Sequence, residues 1–223
     1  MYHIKKHPAL LFTILIALYT STPMAAHAGV REELLAAAKA NKYDDVKALI
    51  QKDAIPNVRD DDGLTPLFYA VEKGNIDMTR LLINAGAGVN MRYKDDTTVL
   101  IRASIKGYED IVKMLIRAGA NVNARDSDDR SVLIHAVKNG RIDIIKMITA
   151  KGVNINSSDK QGRTPLMYAA EYGYYDIIQL LAQKGSNVKA RDNEDKTALT
   201  LAQERQHTGS ALLLEKLIKK RDN

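Results

Sequence analysis

The stretch GRTPLMYAAEYGYYDIIQLLAQKG, residues 162–185, reads as two short helices with their start and stop signals in place. Thr164 offers a side-chain oxygen to the free N–H groups of a first turn, and Pro165 follows at the first helical position, where its missing donor costs nothing. Gly173 ends that helix in a left-handed conformation that a Cβ would oppose. Asp176 then falls in the first turn of a second helix, at the positive end of its dipole. Leu180 and Leu181 fill the apolar face of this helix, and Gly185 stops it. Ala169 and Ala170 keep the first helix thin, so another layer can approach closely.

Working outward, each of these signals returns at a spacing of 33 residues. The first glycine belongs to the column Gly74, Gly107, Gly140 and Gly173, and the second to Gly86, Gly119, Gly152 and Gly185. The cap recurs as Thr65, Thr98, Ser131, Thr164 and Thr197, followed by Leu67, Leu100, Leu133, Leu166 and Leu199, then by Ala70, Ala103, Ala136, Ala169 and Ala202. Asp44, Asp77, Asp110, Asp143 and Asp176 repeat the contact with the helix dipole. One period further back, Leu34, Ala37 and Asn41 occupy the corresponding slots, and Asn tolerates the left-handed turn better than most residues other than Gly. Polar loops rich in Asp, such as residues 59–63, join the units. A fixed period of this length marks a stack of helix–turn–helix units, each burying its apolar face against its neighbours.

The strings DGLTPLFYA (62–70) and GRTPLMYAA (162–170), each followed by a Gly-x-x-Asp step, together with AGANVN (118–123), resemble the ankyrin repeat. The resemblance covers residues 31–223 and implies an all-α solenoid with finger-like loops. Its units are an N-terminal cap at 31–60, internal repeats at 61–93, 94–126, 127–159 and 160–192, and a C-terminal cap at 193–223. Two features depart from the family. The His usual after Thr-Pro-Leu is replaced by Phe68, Ile101, Ile134, Met167 and Thr200, which exchanges its loop hydrogen bonds for apolar contact. The loop glycine is kept at Gly63 and Gly162 but is Asp96, Asp129 and Asp195 elsewhere.

The composition agrees with thin layers rather than one large core: among 223 residues there are two Phe and no Trp. The absence of Cys excludes a disulfide framework, a thiolate zinc site, a cysteine nucleophile and a lipid-anchored cysteine. Lys5 and Lys6, an apolar run from Ala9 to Tyr19, and a small-x-small site ending at Ala28 follow the order of a secretory signal peptide, with cleavage between Ala28 and Gly29. That run falls short of the roughly 20 apolar residues a spanning helix needs. Residues 1–28 are therefore expected to be removed, leaving a monomeric domain at 29–223, without a membrane contact, in the periplasm or alternatively outside the cell. Losing Lys5 and Lys6 lowers the formal charge from +6 to +4, too mild a value to argue for nucleic acid as a partner.

No catalytic constellation emerges. The acidic clusters at 60–62, 95–96 and 126–129 lack the pattern of a calcium loop and recur where short acids form turns. His135 and His207 are far apart, with no partner at i, i+4, so they suggest neither a metal pair nor a catalytic dyad. The glycine-rich stretch 85–88 closes a helix instead of opening one after a strand, unlike a phosphate-binding loop. The expectation is a protein that is not an enzyme and needs no cofactor or metal.

In ankyrin proteins, as the resemblance implies, a partner protein is bound by positions free of structural duty on loop tips and first helices. By register these are Arg59, Asp61, Asp62, Leu64, Glu72 and Lys73; then Arg92, Lys94, Asp95, Thr97, Ile105 and Lys106. They continue with Arg125, Ser127, Asp128, Arg130, Lys138 and Asn139, and finish with Lys160, Gln161, Arg163, Glu171 and Tyr172. Arg59, Arg92, Arg125 and Arg191 share one column, interrupted by Ser158. Each is expected to pair with an Asp of a neighbouring loop; the alternative is a basic ladder for an anionic cell-surface polymer or ligand. Tyr172 ends a first helix and is expected to face the groove as an interface anchor. The reading is an exported interaction scaffold that resembles small ankyrin proteins of the bacterial periplasm and binds through its concave groove. A secreted effector acting on host proteins is a further alternative.

Overall fold

A computed structural model describes the backbone of residues 22–222 and the side chains of residues 29–220. The expected signal segment up to residue 21 lies outside the described residues. Twelve helices follow in six pairs: α1 (Thr22–Lys39) with α2 (Tyr43–Gln51), α3 (Pro66–Glu72) with α4 (Ile76–Asn84), and α5 (Val99–Lys106) with α6 (Glu109–Arg117). The remaining pairs are α7 (Val132–Lys138) with α8 (Ile142–Thr149), α9 (Pro165–Glu171) with α10 (Tyr175–Gln183), and α11 (Ala198–Glu204) with α12 (Thr208–Asp222). Among the described residues there is no strand, only an isolated bridge between Arg125 and Ser131. No described helix is long and apolar enough to cross a membrane.

The odd-numbered helices pack on one another in sequence from α1 to α11 and form one layer. A second layer is built by the even-numbered helices, with α2 on α4, α4 on α6, α6 on α8 and α10 on α12. The alanine column explains how close the first layer can be: Ala70, Ala103, Ala136, Ala169 and Ala202 are fully buried. Of each apolar pair in the even helices, Leu82, Leu115, Ile148 and Leu181 are buried, whereas Leu81, Met114, Met147 and Leu180 are half-buried. Among the described side chains of α1, Leu34, Leu35, Ala37 and Ala38 are buried, and all follow the expected cleavage point at Ala28.

The helix starts form as the sequence implies. Thr65, Thr98, Ser131, Thr164 and Thr197 accept the N–H of Phe68, Ile101, Ile134, Met167 and Thr200 at 3.2–3.4 Å. Left-handed turns end the odd helices at Gly74, Gly107, Gly140 and Gly173, and the same slot is filled by Asn41 (φ 58°) and Gln206 (φ 60°). In the loops, Asp96, Asp129 and Asp195 hold φ values of 57–63°, so the turn formed by Gly63 and Gly162 survives their replacement.

A second constraint acts on the first glycine column. The residue after it in the following repeat lies across it, Tyr108 over Gly74, Tyr174 over Gly140 and His207 over Gly173. A Cβ on Gly173 would come within 2.6 Å of His207 Nδ1, and His207 is held by its own contact with the Glu171 carbonyl, 3.1 Å from Nε2. Gly185, with φ +93°, has nothing within 4 Å of the same point. Gly185→Ala should therefore cost only the backbone strain, about 1 kcal/mol, and Gly173→Ala roughly 1 kcal/mol more. Chemical denaturation of the two variants checks this, and equal losses would show that the ring over Gly173 moves aside freely.

Candidate partner-binding face

Three of the loops are fastened to their own first helix by one carboxylate with two duties. The Oδ1 atoms of Asp60, Asp126, Asp159 and Asp192 accept the backbone N–H groups two and four residues on, at 2.8–3.0 Å, and so shape the turn. Three of their Oδ2 atoms face side chains of the odd helices: Tyr69 O–H donates to Asp60, Tyr168 O–H to Asp159 at 2.5 Å, and His135 Nε2 lies 2.8 Å from Asp126. For Asp192 the partner is Arg163 Nε at 3.5 Å. In the remaining repeat Tyr93 stands where the Asp would be, in contact with Thr65 Oγ1 at 3.1 Å, and Asp95 takes over the turn by accepting from Thr97. The acidic clusters are thus turn chemistry, as expected, with a link to the helices that the turn reading did not contain.

These links perturb the groups that make them. Burial works to raise the Asp60 carboxyl, yet the hydrogen bonds from Tyr69, Leu64 and Asp62 together hold it below the usual carboxylate range. Tyr69 and Tyr168 are pushed up to about 12 by burial and by the carboxylate each one faces. Burial also pushes His135 below its ordinary 6.5, outweighing the attraction of Asp126. An unfolded chain would take up that proton near 6.5, so the stability from this site is complete above pH 6.5 and is lost as pH falls below it. Tyr makes the same link at positions 69 and 168 and has no such proton to take up. His135→Tyr should keep the loop bond and reduce the drop in melting temperature on going from pH 7 to about pH 5; identical pH profiles would clear His135 of responsibility.

The arginine column lies along the surface and bonds to the loop backbone. Arg59 Nη1 donates to the carbonyls of Gly63 and Arg92 (3.1 and 3.2 Å), Arg92 Nη1 to those of Asp96 and Arg125 (3.2 and 3.0 Å), and Arg125 Nη1 to those of Asp129 and Ser158 (2.7 and 2.9 Å). Arg31 begins the series on the carbonyl of Arg59, and Arg191 ends it on that of Asp195. The expected pairing with a neighbouring loop's Asp is corrected here. The acceptors are carbonyls, and the carboxylates reached, Asp96 and Asp195, belong to each arginine's own loop. A forked guanidinium can serve two carbonyls at once, and the regular stacking of loops brings a second carbonyl within reach.

A parallel asparagine ladder was missed, although its spacing of 33 is visible in the sequence. Asn57, Asn90 and Asn156 donate from Nδ2 to the carbonyls of Gly86, Gly119 and Gly185, and accept on Oδ1 from the N–H groups of Gly88, Asn121 and Asn187 at 2.7 Å. Ser158 is the one gap in the arginine series. Ser158→Arg should supply donors for the carbonyls of Gly162 and Arg191 and stabilise by about 1 kcal/mol, raising the melting temperature by roughly 2–4 °C. A lower melting temperature would mean that this loop does not take the geometry of the others.

Between the loop tips and the odd helices lies a cleft of about 350 Å³. Its walls are Arg130, Gln161, Arg163, Asp192, Asn193 and Glu194 from the loops, with Lys138 of α7 and Tyr168, Glu171 and Tyr172 at α9. Tyr172 is 44% exposed, and its ring stacks on that of Tyr174 at 5.7 Å. Among the described residues no group of three or more His, Asp or Glu is arranged to hold a metal ion.

The family model for ankyrin repeats, in three copies, matches residues 34–126 and 118–192. The chain belongs to the ankyrin-repeat family. No curated protein matches it. Ankyrin repeats generally mediate protein–protein interaction, and proteins built from them are typically non-catalytic.

On this ankyrin stack the positions singled out by register divide into three groups. Asp61, Lys73, Ser127, Asn139, Lys160, Gln161 and Tyr172 are exposed, and Leu64 and Ile105 are half-buried against the core. Others are exposed in part but engaged: Lys94 with Asp62 at 2.8 Å, Arg130 with Asp128 at 2.6 Å, and Glu72 with both Arg102 and Lys106 at 2.9 and 2.8 Å. Arg163 is held by Glu171 at 2.7 Å and faces Asp192, so it shapes the cleft more than it offers a free charge. Thr97 is buried, with its hydroxyl on Asp95, and its place on a surface list is corrected: it is part of a turn.

Proposed function

We propose that this protein is an exported, non-catalytic scaffold that binds a partner protein across the face formed by its loop tips and odd-numbered helices. The observation that carries the reading is the cleft at α7 and α9, where the exposed Tyr172, stacked on the half-buried Tyr174, adjoins a polar floor whose walls are fixed. Fixed walls matter because ordering loops on binding subtracts from affinity. Here the Asp links, the backbone bonds between neighbouring loops and the bond from Asn193 Nδ2 to the Lys160 carbonyl at 3.0 Å have already ordered them.

Export rests on the pattern of residues 1–28, and the buried residues described in α1, Leu34, Leu35, Ala37 and Ala38, all follow a cleavage after Ala28. The periplasm is the compartment that this pattern and the family resemblance favour. Each guanidinium of Arg59, Arg92 and Arg125 has two backbone carbonyls to serve, which favours a protein partner over an anionic polymer drawn along the arginine column.

Chemical crosslinking of the tagged protein in its native cells, followed by purification, tests the face. Tyr172→Ala should cut recovery of the crosslinked partner about tenfold, equivalent to roughly 1.4 kcal/mol. Leu212→Ala, on the exposed side of α12, should leave recovery unchanged. The opposite pattern would place binding on the even-numbered helices. Mass measurement of the mature N-terminus should give Gly29, and an intact Met1 would end the export reading.

A further inference from the structure

We infer that the cleft between α7 and α9 seats a carboxylate side chain of the partner, with Lys138 as the cation that receives it. The inference deepens the proposed function and rests on it. One column of the odd helices reads Glu72, Ile105, Lys138, Glu171 and Glu204. Three of the five positions carry a carboxylate, and the structure shows how this face holds one. Glu72 is clasped by Arg102 and Lys106, Glu171 by Arg163 and Arg205 at 2.7 and 2.9 Å, and Glu204 meets Lys196 at 3.1 Å.

At Lys138 the arrangement is inverted, a cation without its anion. Its ammonium lies 4.9 Å from the centre of the Tyr168 ring, and no carboxylate among the described residues reaches ion-pair distance. The carboxylates nearby are engaged elsewhere: Asp126 with His135, Asp128 with Arg130, Asp159 with Tyr168, Glu171 with two arginines, Asp192 with Arg163, and Glu194 with Lys196. Burial, with Arg130 beside it, holds the Lys138 ammonium below the usual lysine range, the sign of a charge short of compensation. Arg130 Nε is buried in the same place with no hydrogen-bond acceptor.

The chemistry of the occupant follows. A carboxylate would gain a charge-assisted hydrogen bond from the Lys138 ammonium, which has no anion of its own, without displacing an existing pair. A cation would be repelled by Lys138 and would find the nearby carboxylates already engaged. An apolar side chain would strip water from Lys138 and return nothing. A doubly charged phosphate would meet more repulsion than a single negative charge from Glu171, Asp192 and Glu194, which line the cleft. The exposed ring of Tyr172, backed by Tyr174, forms the apolar wall beside this seat, so the partner segment carries an acidic residue next to an aliphatic or aromatic one.

Panning random dodecapeptides on phage against the full chain tests this directly, followed by calorimetry with the synthetic consensus peptide. Enriched sequences should share Asp or Glu at one position. Lys138→Met and Lys138→Glu should each weaken the consensus peptide about tenfold or more, with the Glu variant precedented at three positions of its column. Replacing the peptide's acid by its amide should cost wild type the same factor and cost the variants nothing further. Thermal melts of both variants keep loss of fold apart from loss of the seat. A consensus without an acid, or an acid preference that survives Lys138→Glu, overturns the inference. If Tyr172→Ala still removes binding in that case, the groove reading stands alone; if no peptide is enriched at all, both fall.

Discussion

No repeat of this protein has a core of its own. In the internal repeats a pair of helices seven to nine residues long buries one face against its partner and must bury the other against the next pair, so stability resides at the junctions. The fully buried Ala column sets how near those junctions can be, and the second layer of Leu, Ile and Met closes them from the other side. Everything regular in the molecule descends from that spacing. Loops recur at one height, their carbonyls line up, and a single arginine can reach the turn of its own loop and the backbone of the next.

The same constraint explains how a surface made of loops can be rigid. Loops in most proteins are mobile because their backbone groups find partners in water. Here Asp60, Asp126 and Asp159 tie turn to helix, and the arginine and asparagine ladders tie turn to turn, so the tips are extensions of the stack. Binding side chains are then held at fixed positions. Glu72 and Glu171, each between two cations, show a face on which charge is largely matched within the molecule. Lys138 departs from that matching, and an unmatched charge on a matched surface is a point of recognition.

The fold was legible in the sequence to an unusual depth. Start signals at Thr65 and its equivalents, stop signals at Gly74 and its equivalents, and the dipole contacts of the Asp column all act locally, within one turn of helix. The left-handed slot at Asn41 could be read for the same reason. Reading was weaker wherever a side chain's partner came from another repeat. Arg59 was assigned to a carboxylate because opposite charges attract. Its actual partners are carbonyls, which sequence does not display. The Asn57, Asn90 and Asn156 ladder had the right period and went unread because Asn at a turn has a sufficient local explanation.

By itself the sequence determined the period, the helix boundaries, the layers of Ala and Leu and the membership of the ankyrin family, since each depends on contacts between residues close in the chain or identical by register. Only the tertiary structure decided which charges were matched. Thr97 sank into a turn, Arg163 became a strut between Glu171 and Asp192, and Lys138 was left over a tyrosine ring without an anion. The physical reason is range. Capping and turn formation are settled within a few bonds of the residue concerned, whereas the pairing of a long charged side chain depends on which repeat lies beside it and how closely the two are stacked.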